Sequence, residues 1–424
     1  MLALLRRPRT WAVLLGIAVI VVVVVLAASG GDDEEESVIT DIERSPDTPI
    51  VIAAGEPIVI GVSAPLSGPT ETLGSEARDA VIVGVELWKE GSGDALPGRE
   101  IEVHAEDDGC FEADITARAA GHLLYGNDGH DLIPGLVGVI GPMCSDGASR
   151  VIPVYAQAGI VMISGSATRS DLTTGQTSPG FFFRTAYSNS QEGALQARYL
   201  IARLGAATAY LIDDSGTYGT DLANSVQSRL RQSGVEVTRV SIEAGDVDFS
   251  ELAAQVTADN PEVVIFEGFN PEGALLYRQL RDAGYGGTFL SGDGVAVTSD
   301  FIEPLGELAE GAVFAGCSLT LPDEFLLDYV EIIGSEPVTA FPAHLADATT
   351  VLLDAVAQVA EEGEDGSLVI DPLELRDAVS ASTILLGVSG AIAFDENGDR
   401  VGDGATVGLT MCKVKDGRFV NFEF

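Results

Sequence analysis

IGPMCSDGASRVIPVYAQAGIVMISGSATRSDL, residues 140–172, decides the fold of this chain. It reads as the end of an apolar strand, a Ser-bearing turn at Cys144-Ser145-Asp146-Gly147, a helix, a second apolar strand over Ile160–Ser164, and a loop of small hydroxyl residues, Ser164-Gly165-Ser166-Ala167-Thr168. Strand, turn, helix and strand in that order make a unit of a parallel sheet, whose turn aims backbone N–H groups and hydroxyls at an anion beyond the sheet edge. Ser145 suits two roles, a donor to an anion at the positive helix end or a plain N-cap. The Ser164–Thr168 run should sit on the same sheet edge, where it forms either a second set of donors or a solvated turn.

The alternation continues outward in both directions. Upstream, Ile58–Ser63 and Ile101–Ala105 are apolar strands, and Gly74–Glu90 places Ala77, Ala80, Val81 and Val85 at helical spacing. Asp114 is expected to cap a helix running to Tyr125. Downstream, a second set begins after Phe181–Thr185. Strands Ala209–Ile212, Glu236–Ser241, Glu262–Phe266 and Thr288–Leu290 alternate with helices, among them Thr217–Gln232 with Leu222, Val226 and Leu230 on one face. Past Cys317 the pattern is three helices, a hairpin and a last strand pair. Strands alternating with helices predict an α/β protein with two doubly wound lobes.

Composition bounds the function. The chain of 424 residues is long enough for two domains, and 46% hydrophobic content supplies two cores. A formal net charge of −42 excludes a general nucleic-acid binder, because no basic stripe exists to neutralise phosphates. Lys89, Lys413 and Lys415 are the only lysines, so Arg carries most of the positive charge. The acidity suits a solvated, self-repelling surface, or a habitat of high ionic strength that screens the repulsion. Arg6, Arg7 and Arg9 precede the uncharged run Trp11–Ala28, and acid follows at Asp32–Glu36, so the remainder is expected outside the membrane. Residues 1–31 are expected to be a signal peptide or membrane anchor, and 32–56 an acidic linker. Four widely spaced cysteines, Cys110, Cys144, Cys317 and Cys412, include no C-x-x-C pair; on an exported chain they suit two disulfides.

From about Pro57 to about Phe419 the chain resembles the Leu/Ile/Val-binding protein family, the type I periplasmic solute-binding proteins of ABC importers. The Cys-Ser turn and the Ser-Ala-Thr loop carry the resemblance, with further landmarks in the same order. It implies that Ser145 and Thr168 bind the carboxylate of a free amino acid, while a carbonyl near Ser166 or Ala167 accepts from its ammonium. Tyr218, in Asp213-Asp214-Ser215-Gly216-Thr217-Tyr218-Gly219, would cover the ligand from across the cleft. Asp293, in Ser291-Gly292-Asp293-Gly294, would pair the ammonium, although an Asp between glycines is by itself a plain turn residue. Leu73 and Phe269 fall where some relatives carry Trp and Tyr. Glu267 departs from the small residue expected, and points either into the pocket or to solvent at the strand end. The resemblance implies the pair Cys110–Cys144; Cys317 and Cys412 lie outside the family's common pattern, and we expect them to pair as well. It also implies three crossings between lobes, near 186, 318 and 394. The first lobe would then be 57–186 plus 319–393, and the second 187–318 plus 394–424.

Catalysis finds little support. His104, His122, His130 and His344 are scattered, and no G-x-x-x-x-G-K-[ST] is present. Asp395–Asp399 superficially resembles a calcium loop but has Arg400 where the sixth-position Gly belongs and Thr406 where the closing Glu belongs, so a β-turn is expected. The resulting expectation is a monomeric, extracytoplasmic binding protein without cofactor or metal. It would capture an apolar amino acid, branched-chain or similar, and deliver it to ABC permease subunits. Within the same fold, an amide, urea or aromatic acid is the alternative ligand; outside transport, a sensing ectodomain is the alternative role. Amide hydrolysis has only fold analogy behind it.

One expectation concerns anchoring. Leu26-Ala27-Ala28-Ser29 stands where a lipobox would end in Cys, and serine cannot take the thioether lipid. Mass spectrometry of the native N-terminus should show no diacylglyceryl group; finding one near residue 29 would refute this.

Overall fold

The computed structural model describes residues 44–92, 95–96, 98–126, 133–174, 180–317, 321–402 and 407–424. The expected export segment, most of the acidic linker and the residues at the expected crossing near 318 lie outside the described residues. Among the described residues no helix is long and apolar enough to cross a membrane.

The strands Ile58–Ala64, Leu136–Ile140 and Val161–Ser164 are buried at every position. Runs that are apolar on both faces belong in a parallel sheet covered by helices on each side. The first sheet has five parallel strands in the order Ile101–Asp107, Ile58–Ala64, Leu136–Ile140, Val161–Ser164, Phe182–Arg184. Numbered along the chain this is 2-1-3-4-5, and the order reverses between the first and third strands. At such a switch point the flanking loops diverge, leaving a crevice beyond the strand C-termini. The turn that holds Ser145 follows the third strand and opens on that crevice.

The second sheet repeats the order. Glu236–Ser241, Thr208–Asp213, Val263–Glu267, Thr288–Ser291 and Val313–Ala315 run parallel, and Met411–Lys415 and Arg418–Asn421 add an antiparallel edge. Its switch point lies between Thr208–Asp213 and Val263–Glu267. The helix Thr217–Gln232 buries Leu222, Val226 and Leu230 against one face, and Glu272–Asp282 buries Leu276, Tyr277 and Leu280 against the other.

The first lobe draws its cover from two distant segments. Helix Glu71–Ser92 packs along helix Pro342–Val359 so closely that a Cβ on Gly84 would meet Thr349 Cβ at 2.9 Å and the Ala346 Cα at 3.0 Å. On the opposite face lie helices Ala113–Tyr125 and Ser145–Ala158. Asp114 does not cap the former. Glu112 holds the N-cap position without a side-chain bond, and Asp114 sits in the first turn, where its carboxylate faces the positive helix end.

The last passage between lobes comes later than 394. The Gly398 carbonyl accepts from Arg184 N–H (3.1 Å) in the first sheet, and buried Arg400 donates to the carbonyls of Thr185 (2.8 Å) and Ser389 (3.0 Å). Those acceptors belong to the first lobe, and a buried guanidinium must stay with its acceptors. Val407 and Leu409 join the first lobe's core, so the chain changes lobes just before Met411. The acidic run itself is a turn, with Asp395 N–H donating to the Asp399 carbonyl (2.8 Å) and Asn397 N–H to Asp395 Oδ1 (2.8 Å).

Two disulfides are present. Cys110–Cys144, with Cα atoms 5.3 Å apart, ties the loop after Ile101–Asp107 to the N-cap of the Ser145 helix. Cys317–Cys412, at 6.2 Å, fastens the end of Val313–Ala315 to the returning strand across 95 residues. Replacing Cys317 and Cys412 together by Ser should lower stability by about 2–5 kcal/mol. Urea denaturation checks this, and an unchanged midpoint would show that the bridge constrains nothing.

Candidate functional site: a pocket between the lobes

The two switch points face each other, and a pocket lies between them. The first lobe contributes Leu73, Met143, Ser145 and Ser166, and the second contributes Tyr218, Phe269, Asp293 and Asp300. The lobes touch at its rim. Phe111, held beside Cys110, meets Phe269 edge-on at 5.3 Å; Thr72 reaches Asp300 at 3.5 Å; and Ser170 donates from its N–H and hydroxyl to Asp221, each at 2.9 Å.

On the first-lobe wall the donors are positioned by a chain of hydroxyls. Ser145 is the first residue of helix Ser145–Ala158, so its N–H and those of the next two residues have no partner within the helix. Its Oγ accepts from Arg169 N–H (3.1 Å), which leaves the hydroxyl proton to donate. Ser164 Oγ donates to the Pro142 carbonyl (2.7 Å) and accepts from Ala167 N–H (2.9 Å), folding the following loop back over the turn. Ser166 Oγ donates to the Met143 carbonyl (2.6 Å).

The second-lobe wall is organised by Asp293. It is buried, and its Oδ1 accepts from the Tyr218 hydroxyl (2.7 Å) while Oδ2 accepts from the Tyr187 hydroxyl (2.8 Å). The flanking glycines are required by crowding. A Cβ on Gly292 would meet the Tyr218 hydroxyl at 2.8 Å, and one on Gly294 would meet the Gly268 carbonyl at 2.4 Å. Burial pushes the Asp293 carboxyl up to about 6, with the two phenol donors pulling the other way. Both tyrosines are raised well above their ordinary range, by burial first and by Asp293 next, so they remain donors.

Of the residues expected at the site, Leu73, Ser145, Ser166, Tyr218, Phe269 and Asp293 line the pocket. Ala167 and Thr168 do not. The Ala167 carbonyl accepts from Arg184 (3.2 Å), and the Thr168 carbonyl from Asn189 N–H (2.7 Å), so both backbone acceptors are committed to the frame. Glu267 points neither into the pocket nor to solvent. It is fully buried behind Asp293, because the strand bearing it is central in the second sheet. Tyr187, Asp300 and Phe341 were not expected. Tyr187 comes from the segment at the first crossing and Phe341 is the N-cap of helix Pro342–Val359, where no motif marks them, and Asp300 follows a stretch without helical or strand periodicity. Among the described residues no group of three or more His, Cys, Asp or Glu could hold a metal ion.

A wall of N–H and hydroxyl donors facing a wall with a carboxylate matches a molecule that is anionic at one end and cationic at the other. The model of the periplasmic binding protein family matches residues 57–417. The chain belongs to that family. This periplasmic binding protein is 29% identical over 347 residues to the Leu/Ile/Val-binding protein BraC3 of Rhizobium johnstonii, which covers 81% of this chain and 88% of that one. To the Leu/Ile/Val-binding protein of Escherichia coli K12 it is 28% identical over 360 residues, 83% of this chain and 90% of the relative. Among solved structures it is similar to a leucine binding protein, LivK, from Thermotoga maritima. The TM-score is 0.72 and the identity 26%, with 86% of this chain and 98% of that one covered.

The two phenols act on Asp293 by hydrogen bonding its charged form. Tyr187→Phe should therefore move the ionisation of Asp293 above about 6. A carbon-13 titration of the aspartate carboxyls reads this directly; an unmoved or lowered midpoint would show that the Tyr187 bond does not stabilise the carboxylate.

Proposed function

We propose that the protein captures a free α-amino acid with an apolar side chain between its two lobes, outside the cytoplasm, and hands it to the permease subunits of an ABC importer. The observation that carries this is the pairing of walls. Ser145 offers a hydroxyl and free N–H groups at a helix start, and Asp293 offers a carboxylate with no cation of its own. A zwitterion satisfies both. Leu73, Phe269, Val297 and Phe341 form the apolar part of the lining and suit an aliphatic side chain. An aromatic acid would satisfy the Ser145 side and leave Asp293 uncompensated, and urea would fill neither end with charge. The relatives named Leu/Ile/Val-binding proteins support the branched-chain choice. Ligand bound by both lobes favours the state in which they are together, and that shape is what a permease can recognise.

Removing Asp293 leaves a buried ammonium without its partner, which costs about 3–5 kcal/mol. Asp293→Ala should therefore weaken leucine or valine binding by roughly 10²- to 10³-fold or more in isothermal titration. Undiminished binding would reduce Asp293 to a turn residue. In the wild type, affinity should fall as pH drops through about 6, because protonation of Asp293 removes the charge that pairs the ammonium. A thermal-shift screen of the twenty amino acids, urea, short amides and benzoate checks the class; a ligand at about 100 times its Kd adds about 2.7 kcal/mol. A response to urea or benzoate and to no amino acid would overturn the proposal.

A further inference from the structure

Behind Asp293 lie two carboxyl groups that ligand capture does not use. Glu192, in the first turn of helix Asn189–Arg198, and Glu267, the last residue of strand Val263–Glu267, are both completely enclosed. Glu192 Oε1 accepts from Asp293 N–H (3.2 Å) and, at 3.5 Å, from the Gln196 amide. Glu192 Oε2 and both oxygens of Glu267 have no hydrogen-bond partner, and neither do Gln196 Oε1 and Asn189 Oδ1. The Gln196 side chain and the Gly292 N–H approach Glu267 without closing a bond of ordinary geometry.

The region is therefore rich in buried acceptors and short of donors. The titratable groups facing it are Tyr187 at the first crossing, Tyr218 on helix Thr217–Gln232, Asp293 after Thr288–Ser291, and Asp214 after Thr208–Asp213. All are acids or phenols; among the described residues no Lys, Arg or His is paired with Glu192, Glu267 or Asp293. The Glu192 side chain also lies beside the Asp293 carboxyl with Oε2 unpartnered, and a hydrogen bond between two carboxyl groups requires a proton on one of them. Protons on the glutamates supply the missing donors and remove the repulsion at once.

We propose that Glu192 and Glu267 are held as neutral carboxylic acids, so that of these three clustered carboxyls only Asp293 shows the ligand a negative charge, with Glu192 a positioning residue that donates its acid proton to Asp293. The role of Glu192 rests on the reading that Asp293 pairs a ligand's ammonium; the neutrality of the two acids does not. Burial and the neighbouring carboxyls both raise these groups well above the ordinary glutamate range.

The test begins with the ligand-free full chain. The infrared carbonyl band of protonated carboxylic acid at pH 7 should lose intensity in Glu192→Gln and again in Glu267→Gln; no loss would mean that the glutamates are ionised and would overturn the proposal. A folded acid keeps a proton that the unfolded chain releases above about pH 4. Wild-type stability therefore falls as pH rises from there, and Glu267→Gln should melt higher than wild type at pH 7, with the gap closing toward about pH 4. A lower melting point at pH 7 counts against it. So does a wild type stabilised by added sodium or calcium and destabilised by chelator, since a cation would then fill the donor deficit. With leucine as probe, Glu192→Gln should keep its affinity within about twofold and keep the acid limb of the pH profile. Glu192→Met, which lacks the donor, should shift that limb to higher pH. A loss of about tenfold or more in Glu192→Gln at pH 7 would show that charge at 192 is needed. If the wild type bound no amino acid, the ligand reading would fall, and the infrared and melting results would still judge the buried acids.

Discussion

A carboxylate taken out of water without a cation survives only if hydrogen bonds replace its hydration, and Asp293 is held in that way by Tyr187 and Tyr218. The two phenols arrive from different parts of the chain. Tyr187 lies just past the end of the first sheet, where the backbone passes between lobes, and Tyr218 opens the helix at the switch point of the second sheet. Asp293 itself follows a third element, the strand Thr288–Ser291. The charged wall of the pocket exists only when crossing, helix and strand end have met, so the site reports on the assembly of the whole second lobe.

The opposite wall obeys a different rule. It carries no full positive charge and uses the unsatisfied N–H groups of a helix start with hydroxyls locked in place by backbone carbonyls. Both walls are products of one topology used twice, 2-1-3-4-5, with the two switch points brought face to face. The asymmetry of charge is decided by which residues fill the loops.

Much of this could be read from the sequence because parallel strands buried on both faces are short, apolar and flanked by helical periodicity. Ile58–Ala64 and Leu136–Ile140 are legible for that reason, whereas Ser145, Ser166, Tyr218 and Asp293, which follow such strands, owe their expected ligand roles to the family resemblance, since a helix-capping Ser or an Asp between glycines carries no such signal alone. The errors have equally local causes. Ala167 belongs to the right loop, but Arg184, whose approach no spacing reveals, takes up its carbonyl, and Thr168, expected as a donor, lies outside the pocket lining. Glu267 at a strand end reads as facing either the pocket or solvent until a whole layer of side chains closes over it. Arg400 closes an acidic turn just past the expected crossing near 394, yet its guanidinium is buried among first-lobe carbonyls and draws the last crossing toward Met411. Long-range partners of polar groups leave no periodic trace.

The helix Pro342–Val359 has a consequence for biogenesis. It covers one face of the first sheet and packs on the helix Glu71–Ser92 with almost no clearance at Gly84, yet nearly the entire second lobe is synthesised between the two. As the chain emerges, the early strands must wait with an apolar face exposed while the five parallel strands of the neighbouring lobe are made. Contacts closed over so long a loop are slow to form, which leaves the nascent chain threadable for most of its synthesis.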